Sequence, residues 1–270
     1  MGLDILIDNA KPGERVDLPD LVFLLRHSSS STRRPFLFDL GVRADPENLP
    51  AGARVVIEEM GLKLQGQPDL RAALARGGVQ PEDVEHICIS HIHFDHTGDT
   101  SLFPASKILL GADAEAVIKA KAPNFEGTIY AIDAPPERTR YLDTEQWPPL
   151  GPFDHALDFY GDGSLYLVDA AGHVPGHINL LARTSADGGW IFLAADSAHD
   201  WRIIRGEAGF AHHSTVGCIH ADPAKAVRHV EKIRELRKDP RVRVLLTHDI
   251  PWYEENKGGS AFWPGSIESL

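Results

Sequence analysis

The segment His91–Gly98 reads His-Ile-His-Phe-Asp-His-Thr-Gly and concentrates groups that bind metal ions or carry protons. His91, His93 and His96 supply imidazoles, and Asp95 supplies a carboxylate. Such groups are costly to bury without a partner, and a divalent cation is a partner that all of them can share. The segment therefore predicts a metal site, and the number of ligand groups suggests more than one metal ion.

The spacing within this segment divides its side chains between two ions. In an extended segment, residues two apart project to the same side, so His91 and His93 can face one ion. Adjacent side chains diverge, so we expect Asp95 and His96 to face a second ion. Thr97 and Gly98 follow, and a glycine allows the chain to turn tightly there.

Each ion needs further ligands, and three candidates occur later in the chain. His177 precedes an apolar run, and Asp196 and His248 each end one. A carboxylate has two oxygens that can each bind one ion, so Asp196 is the natural bridge. We predict a set for one ion (His91, His93 and His177), a set for the other (Asp95, His96 and His248), and Asp196 shared between them. Nitrogen and oxygen ligands without thiolate favour zinc, with manganese, iron or cobalt as alternatives.

These ligands must be positioned by strands whose ends open into loops. The apolar run 84–90 predicts a buried strand that ends at the histidine segment, where open α/β sheets place their sites. Further strands are predicted at 21–25, 35–40, 107–110, 165–169, 178–183, 190–195 and 242–246. Helices are predicted at 70–75, 112–122 and 224–238, the last of them with Asp222 as N-cap and Pro223 at its first position. Two groups of strands, each followed by helices, indicate a layered α/β fold with sheets inside.

The remaining segments are interpreted as connections. Residues 28–34 predict a polar loop between the first two strands. Residues 45–65, 122–163 and 201–219 are expected to contain loops that shape a partly apolar substrate pocket. Residues 122–163 are also expected to carry surface strands.

The composition is that of an ordinary globular protein, with 43% hydrophobic and 24% charged residues in a chain of 270. We predict a single domain over residues 1–270. The formal net charge of −12 disfavours nucleic acid as a partner, because nucleic-acid binding depends on lysine and arginine contacts to phosphates.

No apolar run approaches the roughly 20 residues of a membrane span, and no secretory signal is visible. A cytoplasmic location, a small-molecule substrate and a homodimer are expected.

The histidine segment, read as His91-Ile92-His93-Phe94-Asp95-His96, resembles the signature of the metallo-β-lactamase superfamily. Residues 172–177, Asp196 and residues 247–249 are similar to its later ligand segments in order and spacing. The resemblance covers about residues 39–250. It implies an αββα sandwich of two βα halves, with a dinuclear metal site at their shared edge.

Within the superfamily, the motifs are most similar to those of N-acyl-homoserine lactonases. The resemblance implies a hydrolase that opens a lactone, or a related cyclic ester or lactam, through attack of a metal-bridging hydroxide on the carbonyl carbon. Asp95 would carry a proton to the leaving group. Those lactonases usually have a tyrosine three residues after the bridging aspartate, where this chain has His199. His199 is therefore expected to donate a hydrogen bond to the developing oxyanion.

Two other functions compete with lactone hydrolysis. A thioesterase of the glyoxalase II type would use the same ligands, but basic residues would be expected near the C-terminus. Residues 254–257 there are of mixed sign. A protein that binds metal but catalyses no reaction would be expected to lack Asp95, or to have every coordination position of the metal filled by protein ligands. The sequence shows neither feature.

The other histidines receive weaker interpretations. His173 lies four residues before His177, but Pro175 and Gly176 exclude a regular helix between them. We expect His173 to fix the loop or support a ligand, with direct metal binding as the alternative. Among the rest, His212, His213 and His220 are interpreted as loop histidines, and His229 carries no functional signal.

Overall fold

The computed structural model describes residues 1–28, 34–65, 69–214 and 216–270. Within them the chain forms two compact units. The histidine-motif unit comprises Val22–Leu142 and Ser260–Ser266, and the Asp196 unit comprises Met1–Leu21, Asp143–Gly259 and Ile267–Leu270. Among these residues no helix is both long enough and apolar enough to cross a membrane.

The described part of the histidine-motif unit contains one sheet of five strands. Its strands, in sheet order, are β1 (Phe23–Leu25), β2 (Phe36–Phe38), β3 (His86–Cys88), β4 (Lys107–Gly111) and β5 (Thr139–Leu142). The first pair is antiparallel, and the strands from β2 to β5 are parallel. The helices of this unit are α1 (Ala51–Glu59), α2 (Leu70–Ala75), α3 (Phe94–Thr97) and α4 (Asp113–Lys121).

The parallel register explains why two distant segments meet at one edge of this sheet. Phe38 at the end of β2 is paired with Cys88 at the end of β3, and both side chains are buried. The backbone N–H of Asp39 continues the ladder by donating to the carbonyl of Cys88 at 2.9 Å. Since the carboxyl ends of parallel strands meet at the same edge, Asp39 lies beside the start of the histidine segment.

The described part of the Asp196 unit also contains a sheet of five strands. They are β6 (Ala156–Asp158), β7 (Leu165–Asp169), β8 (Ile178–Arg183), β9 (Trp190–Leu193) and β10 (Val242–Leu245), and the sheet order is β10-β9-β8-β7-β6. Only the pairing of β9 with β10 is parallel. The helices of this unit are α5 (Trp201–Arg205), α6 (Pro223–Leu236) and α7 (Ile250–Asn256).

Helix α6 follows directly from its sequence. The Asp222 carboxylate accepts a hydrogen bond from the backbone N–H of Lys225 at 2.9 Å, and Pro223 occupies the first turn. Its buried face presents Val230 and Ile233 to the core of the unit. The predicted N-cap and helix are both confirmed.

The predicted strands all occur, most of them shorter than predicted, and segment 122–163 carries strands as expected, whereas the interpretation of segments 45–65 and 201–219 as loops is wrong in part. Segment 45–65 contains α1, which buries Ala53 and Ile57 four residues apart. Segment 201–219 contains α5, which the Asp200 side chain caps and left-handed Gly206 ends. Segment 122–163 contains strands β5 and β6. These elements are too short for a clear periodic pattern, and their contacts within the fold stabilise them. Residues 29–33 of the predicted loop 28–34 lie outside the described residues.

Candidate metal centre

The first pair of candidate ligands lies in extended backbone after β3. The chain is extended at His93 (φ −70°, ψ 151°), and both imidazoles are buried. Nε2 of His91 lies 2.8 Å from Nδ1 of His93. Two ligands about 2.0–2.1 Å from one zinc ion would be about 2.9–3.4 Å apart, depending on coordination geometry. The two rings therefore lie on the same side, as the spacing predicts, and their nitrogens are slightly closer together than two ligands of one zinc ion would be.

Asp39 is a supporting residue that the sequence analysis missed. Its Oδ1 accepts the backbone N–H of Ser90 at 2.6 Å, and its Oδ2 accepts the Ser90 hydroxyl at 2.8 Å. Nδ1 of His96 lies 2.8 Å from the same Oδ2. Asp39 adopts φ 62°, a conformation that is uncommon for a residue other than glycine. The signal in the sequence was a lone carboxylate directly after an apolar strand.

These hydrogen bonds set the tautomers of two histidines. A carboxylate only accepts, so Nδ1 of His96 carries the proton and Nε2 keeps a lone pair. Because the Ser90 hydroxyl donates to Asp39, its oxygen can accept from Nδ1 of His91, 3.0 Å away. Nε2 of His91 then also keeps a lone pair. The arrangement prepares both rings to bind a cation through Nε2.

Asp95 and Tyr130 complete the surroundings of the histidine segment. Oδ1 of Asp95 lies 3.9 Å from Nε2 of His96, and the Asp95 side chain is 20% exposed. Asp95 can therefore exchange protons with solvent while it faces a candidate ligand. Tyr130 stacks on His93 with ring centroids 5.3 Å apart, and burial raises the pKa of its hydroxyl.

We expect Asp39→Asn to weaken metal binding by about 10–100-fold, the usual cost of losing a partner that orients a ligand. An amide NH₂ in place of Oδ2 would face two other donors, the Ser90 hydroxyl and Nδ1–H of His96. His96 would therefore lose the tautomer in which its Nε2 has a lone pair. Affinity is measured by competition with a chromophoric chelator. Asp69→Asn is the matched control, because the Asp69 carboxylate caps α2 and pairs with Arg71. An affinity for Asp39→Asn equal to that of the control would contradict this role.

In the Asp196 unit, Asp196 lies in the tight turn Ala195–Ser197 that follows β9. Ala195 has φ 42°, so the backbone here is strained. The turn is anchored because Ser197 Oγ donates to Oδ1 of Asn179 at 3.0 Å. Asn179 Nδ2 in turn donates to the carbonyl of Ala194 at 2.8 Å. The position of the Asp196 carboxylate is therefore fixed from both sides of the turn.

Three imidazoles face one oxygen of this carboxylate. Nε2 of His199 lies 3.0 Å from Oδ2 of Asp196. The corresponding distances are 3.5 Å for Nε2 of His248 and 3.6 Å for Nε2 of His173. All four side chains are buried. Asp196, His199 and His248 each offer a ligand atom, and these atoms lie within 4.8 Å of one another. A cation among them would satisfy a carboxylate and several nitrogen lone pairs together, so this donor set fits a metal ion.

His248 is held in the tautomer that a metal ligand requires. Its Nδ1 lies 2.7 Å from the carbonyl oxygen of Pro19, which can only accept, so Nε2 keeps its lone pair. The neighbouring Asp249 caps α7 by accepting the N–H of Trp252, and it also accepts the N–H of Leu246. Burial raises the pKa of the Asp249 carboxyl. These bonds fix the loop that carries His248 at the end of β10.

The structure assigns different surroundings to His173 and His177. Nδ1 of His177 donates to the carbonyl of Ala170 at 3.0 Å, whereas Nε2 of His173 faces Asp196. Nδ1 of His173 lies 3.3 Å from Nδ1 of His220, so one of these nitrogens donates to the other. From the sequence, His177 is predicted to be a metal ligand and His220 a loop residue. Gly176, which lies between the two candidate histidines, adopts φ 77°.

His229 supports the site from helix α6. Its Nε2 lies 2.7 Å from Oδ1 of Asn179, an atom that only accepts. Burial lowers the pKa of His229 to about 3, so the ring is neutral and donates through Nε2–H. Through Asn179 it contacts the same network that holds the Asp196 turn. The sequence carried no signal for this role.

Relatives in sequence include proteins named as monooxygenases, lactamases and lactonases. Cytochrome P450 monooxygenase mpaDE' of Penicillium brevicompactum is 33% identical over 94% of this chain and 32% of its own length. Gamma-lactamase MBL2 of Gibberella moniliformis is 36% identical over 60% of this chain and 70% of its own length. N-acyl homoserine lactonase AttM of Rhizobium radiobacter is 29% identical over 89% of this chain and 86% of its own length. The chain spans about a third of the length of the mpaDE relatives.

A solved structure with a similar fold is that of an N-acyl homoserine lactone hydrolase with N-hexanoyl-L-homoserine bound at its catalytic metal centre. It matches with a TM-score of 0.67 at 19% identity, over 100% of this chain and 94% of that one. The predicted α/β fold of the metallo-β-lactamase type is confirmed. Since the model of this family matches residues 22–248, the chain belongs to the metallo-β-lactamase superfamily.

Proposed function

We propose that this chain is a metal-dependent hydrolase that opens the ring of a lactone. The proposal assigns two divalent ions to buried imidazole and carboxylate groups. The proposed ligands are His91, His93, Asp95, His96, His173, Asp196 and His248. His173 enters this set because its Nε2 lies 3.6 Å from Asp196 Oδ2. His177, the ligand predicted from the sequence, stays the alternative, because its bond from Nδ1 to the Ala170 carbonyl leaves Nε2 with a lone pair in the neutral ring.

One observation carries the proposal. Oδ2 of the buried Asp196 faces Nε2 of His248, and the bond from Nδ1 of His248 to Pro19 leaves that Nε2 with a lone pair. In the neutral ring these two lone pairs repel each other at 3.5 Å unless a positive charge lies beside both. A metal ion, unlike a single proton on Nε2, would also bind the other nitrogens that face this carboxylate oxygen. The paired nitrogens of His91 and His93 support the same conclusion for the histidine-motif unit. Imidazole and carboxylate ligands without thiolate favour zinc, with manganese, iron and cobalt as alternatives.

Divalent ions in such sites lower the pKa of water and polarise a carbonyl oxygen. The residues of the chain supply positioning and proton transfer. Asp95, partly exposed and 3.9 Å from Nε2 of His96, is placed to hold a proton from the attacking water. It would return that proton to the ring oxygen when the acyl carbon–oxygen bond breaks. The product is the open hydroxy acid.

The relatives support a cyclic acyl substrate. AttM is by name an N-acyl homoserine lactonase, and its match extends over most of both chains. MBL2 is by name a gamma-lactamase, which makes a lactam the second candidate substrate. Ring opening of a lactone needs less stabilisation of the leaving group by the site than ring opening of a lactam, because an alkoxide leaves more readily than an amide anion. We therefore place lactones first.

The test is a substrate panel on the zinc- or manganese-loaded protein together with metal analysis. We expect about two metal equivalents per chain. We also expect hydrolysis of N-acyl homoserine lactones or simple γ-lactones to exceed that of the matched γ-lactam and of an acyl thioester. Activity should be lost with a chelator and return with metal. Preferential thioester hydrolysis would favour the glyoxalase II alternative, and metal without any turnover would favour a binding protein.

The remaining features of the proposal concern partners and organisation. The net charge of −12 favours a small molecule over nucleic acid as the partner of the site. A homodimer, a cytoplasmic location and the action of residues 1–270 as one domain stay predictions. Size-exclusion chromatography with light scattering tests the first of them.

A further inference from the structure

We propose that His199 is itself a ligand of the metal ion that Asp196 and His248 bind. This inference rests on the proposed metal-dependent function and deepens it. The sequence predicts only a contact between His199 and the substrate oxygen. The structure supports a direct bond from Nε2 to the cation.

The backbone brings the His199 ring back toward Asp196. After the tight turn Ala195–Ser197, Ala198 is extended (φ −154°, ψ 151°). His199 then lies three residues after Asp196, with its Nε2 3.0 Å from Asp196 Oδ2. The ring is buried. His199 is thus held at the carboxylate by the same turn that positions Asp196.

The orientation of the ring matches that of a proposed ligand. His199 and His248 are stacked, with ring centroids 5.4 Å apart and planes 22° from parallel. Their Nε2 atoms lie 3.0 and 3.5 Å from the same carboxylate oxygen. Donors about 2.0–2.1 Å from one zinc ion are separated by about 2.9–3.4 Å, depending on coordination geometry. The His199 distance falls within this range, and the His248 distance is slightly longer.

A simple hydrogen bond from His199 to Asp196 is the competing explanation. It requires the tautomer with the proton on Nε2. In His248 the tautomer is set by the Pro19 carbonyl, but Nδ1 of His199 has no hydrogen-bond partner among the described residues. Oδ2 of Asp196 only accepts, so without a cation it favours the Nε2–H form, but no bond at Nδ1 holds the ring in that form. A cation beside Asp196 and His248 would select the Nδ1–H form and bind Nε2 directly.

The test compares wild type with His199→Gln after cobalt substitution. Glutamine can still donate a hydrogen bond to Asp196 but cannot replace an imidazole ligand. We expect altered cobalt d–d absorption bands and an affinity at one metal position lower by about 10-fold or more, at least the cost of losing an orienting partner. His155→Gln, in the same unit, is the control, because His155 bonds only to the carbonyl of Trp147.

The outcomes separate this inference from the proposed function. Unchanged cobalt bands in His199→Gln, with an affinity equal to that of the control, would show that His199 only hydrogen-bonds to Asp196 and would overturn the inference alone. A wild-type protein that binds no cobalt or zinc would overturn the proposed function itself. Circular dichroism establishes that the variant is folded before either comparison is made.

Discussion

His173→Gln is expected to lose about one metal equivalent, whereas His177→Gln should retain both. Both imidazoles are buried, so the two substitutions remove similar side chains from similar surroundings. Of these two histidines, His173 has its Nε2 3.6 Å from Oδ2 of Asp196. Nδ1 of His177 donates to the carbonyl of Ala170, a bond that a glutamine amide can replace. The difference between the variants therefore reports metal ligation rather than packing.

Elemental analysis of both proteins, purified without chelator, measures this difference, and thermal unfolding checks that both are folded. Turnover should fall with metal content in His173→Gln and stay near wild type in His177→Gln. The reverse pattern would restore the ligand set predicted from the sequence. Equal metal content in both variants would remove His173 from the proposed ligands.

Asp95→Asn is expected to keep its metal and to lose about 10²–10⁴-fold in kcat, the usual contribution of a positioned proton-transfer group. Asparagine retains an oxygen that can face the ion but cannot hold a proton at neutral pH. Asp95 suits this role because its side chain is partly exposed and lies beside a candidate ligand. The effect should fall on kcat rather than on the KM for the lactone.

Steady-state kinetics on the lactone found in the substrate panel, at matched metal content, measures the loss. Asp99→Asn is the control, because Asp99 caps the short helical turn Thr100–Leu102 in the same unit. Full activity in Asp95→Asn would exclude Asp95 from proton transfer. Loss of metal in that variant would instead make Asp95 chiefly a ligand.

The sequence by itself determined the class of site and most of the scaffold. The two-residue spacing of His91 and His93 follows from extended backbone, which is a local property. Apolar runs such as 84–90 predicted buried strands, since a strand that is covered on both faces shows continuous hydrophobic residues. Asp222 followed by Pro223 predicted the start of α6 for equally local reasons.

The tertiary structure alone decided which partners meet. The parallel pairing of β2 with β3 brings Asp39 to Ser90 and His96 across 51 and 57 residues of sequence. His173 and His177, four residues apart, have different partners in the fold, the Asp196 carboxylate and the carbonyl of Ala170. Hydrogen bonds from Nδ1 to a backbone carbonyl or a carboxylate then set which nitrogen of each histidine can bind a metal ion. Residue types and short spacings encode the chemistry available, but register, turns and tautomers depend on contacts that form only when distant segments fold together.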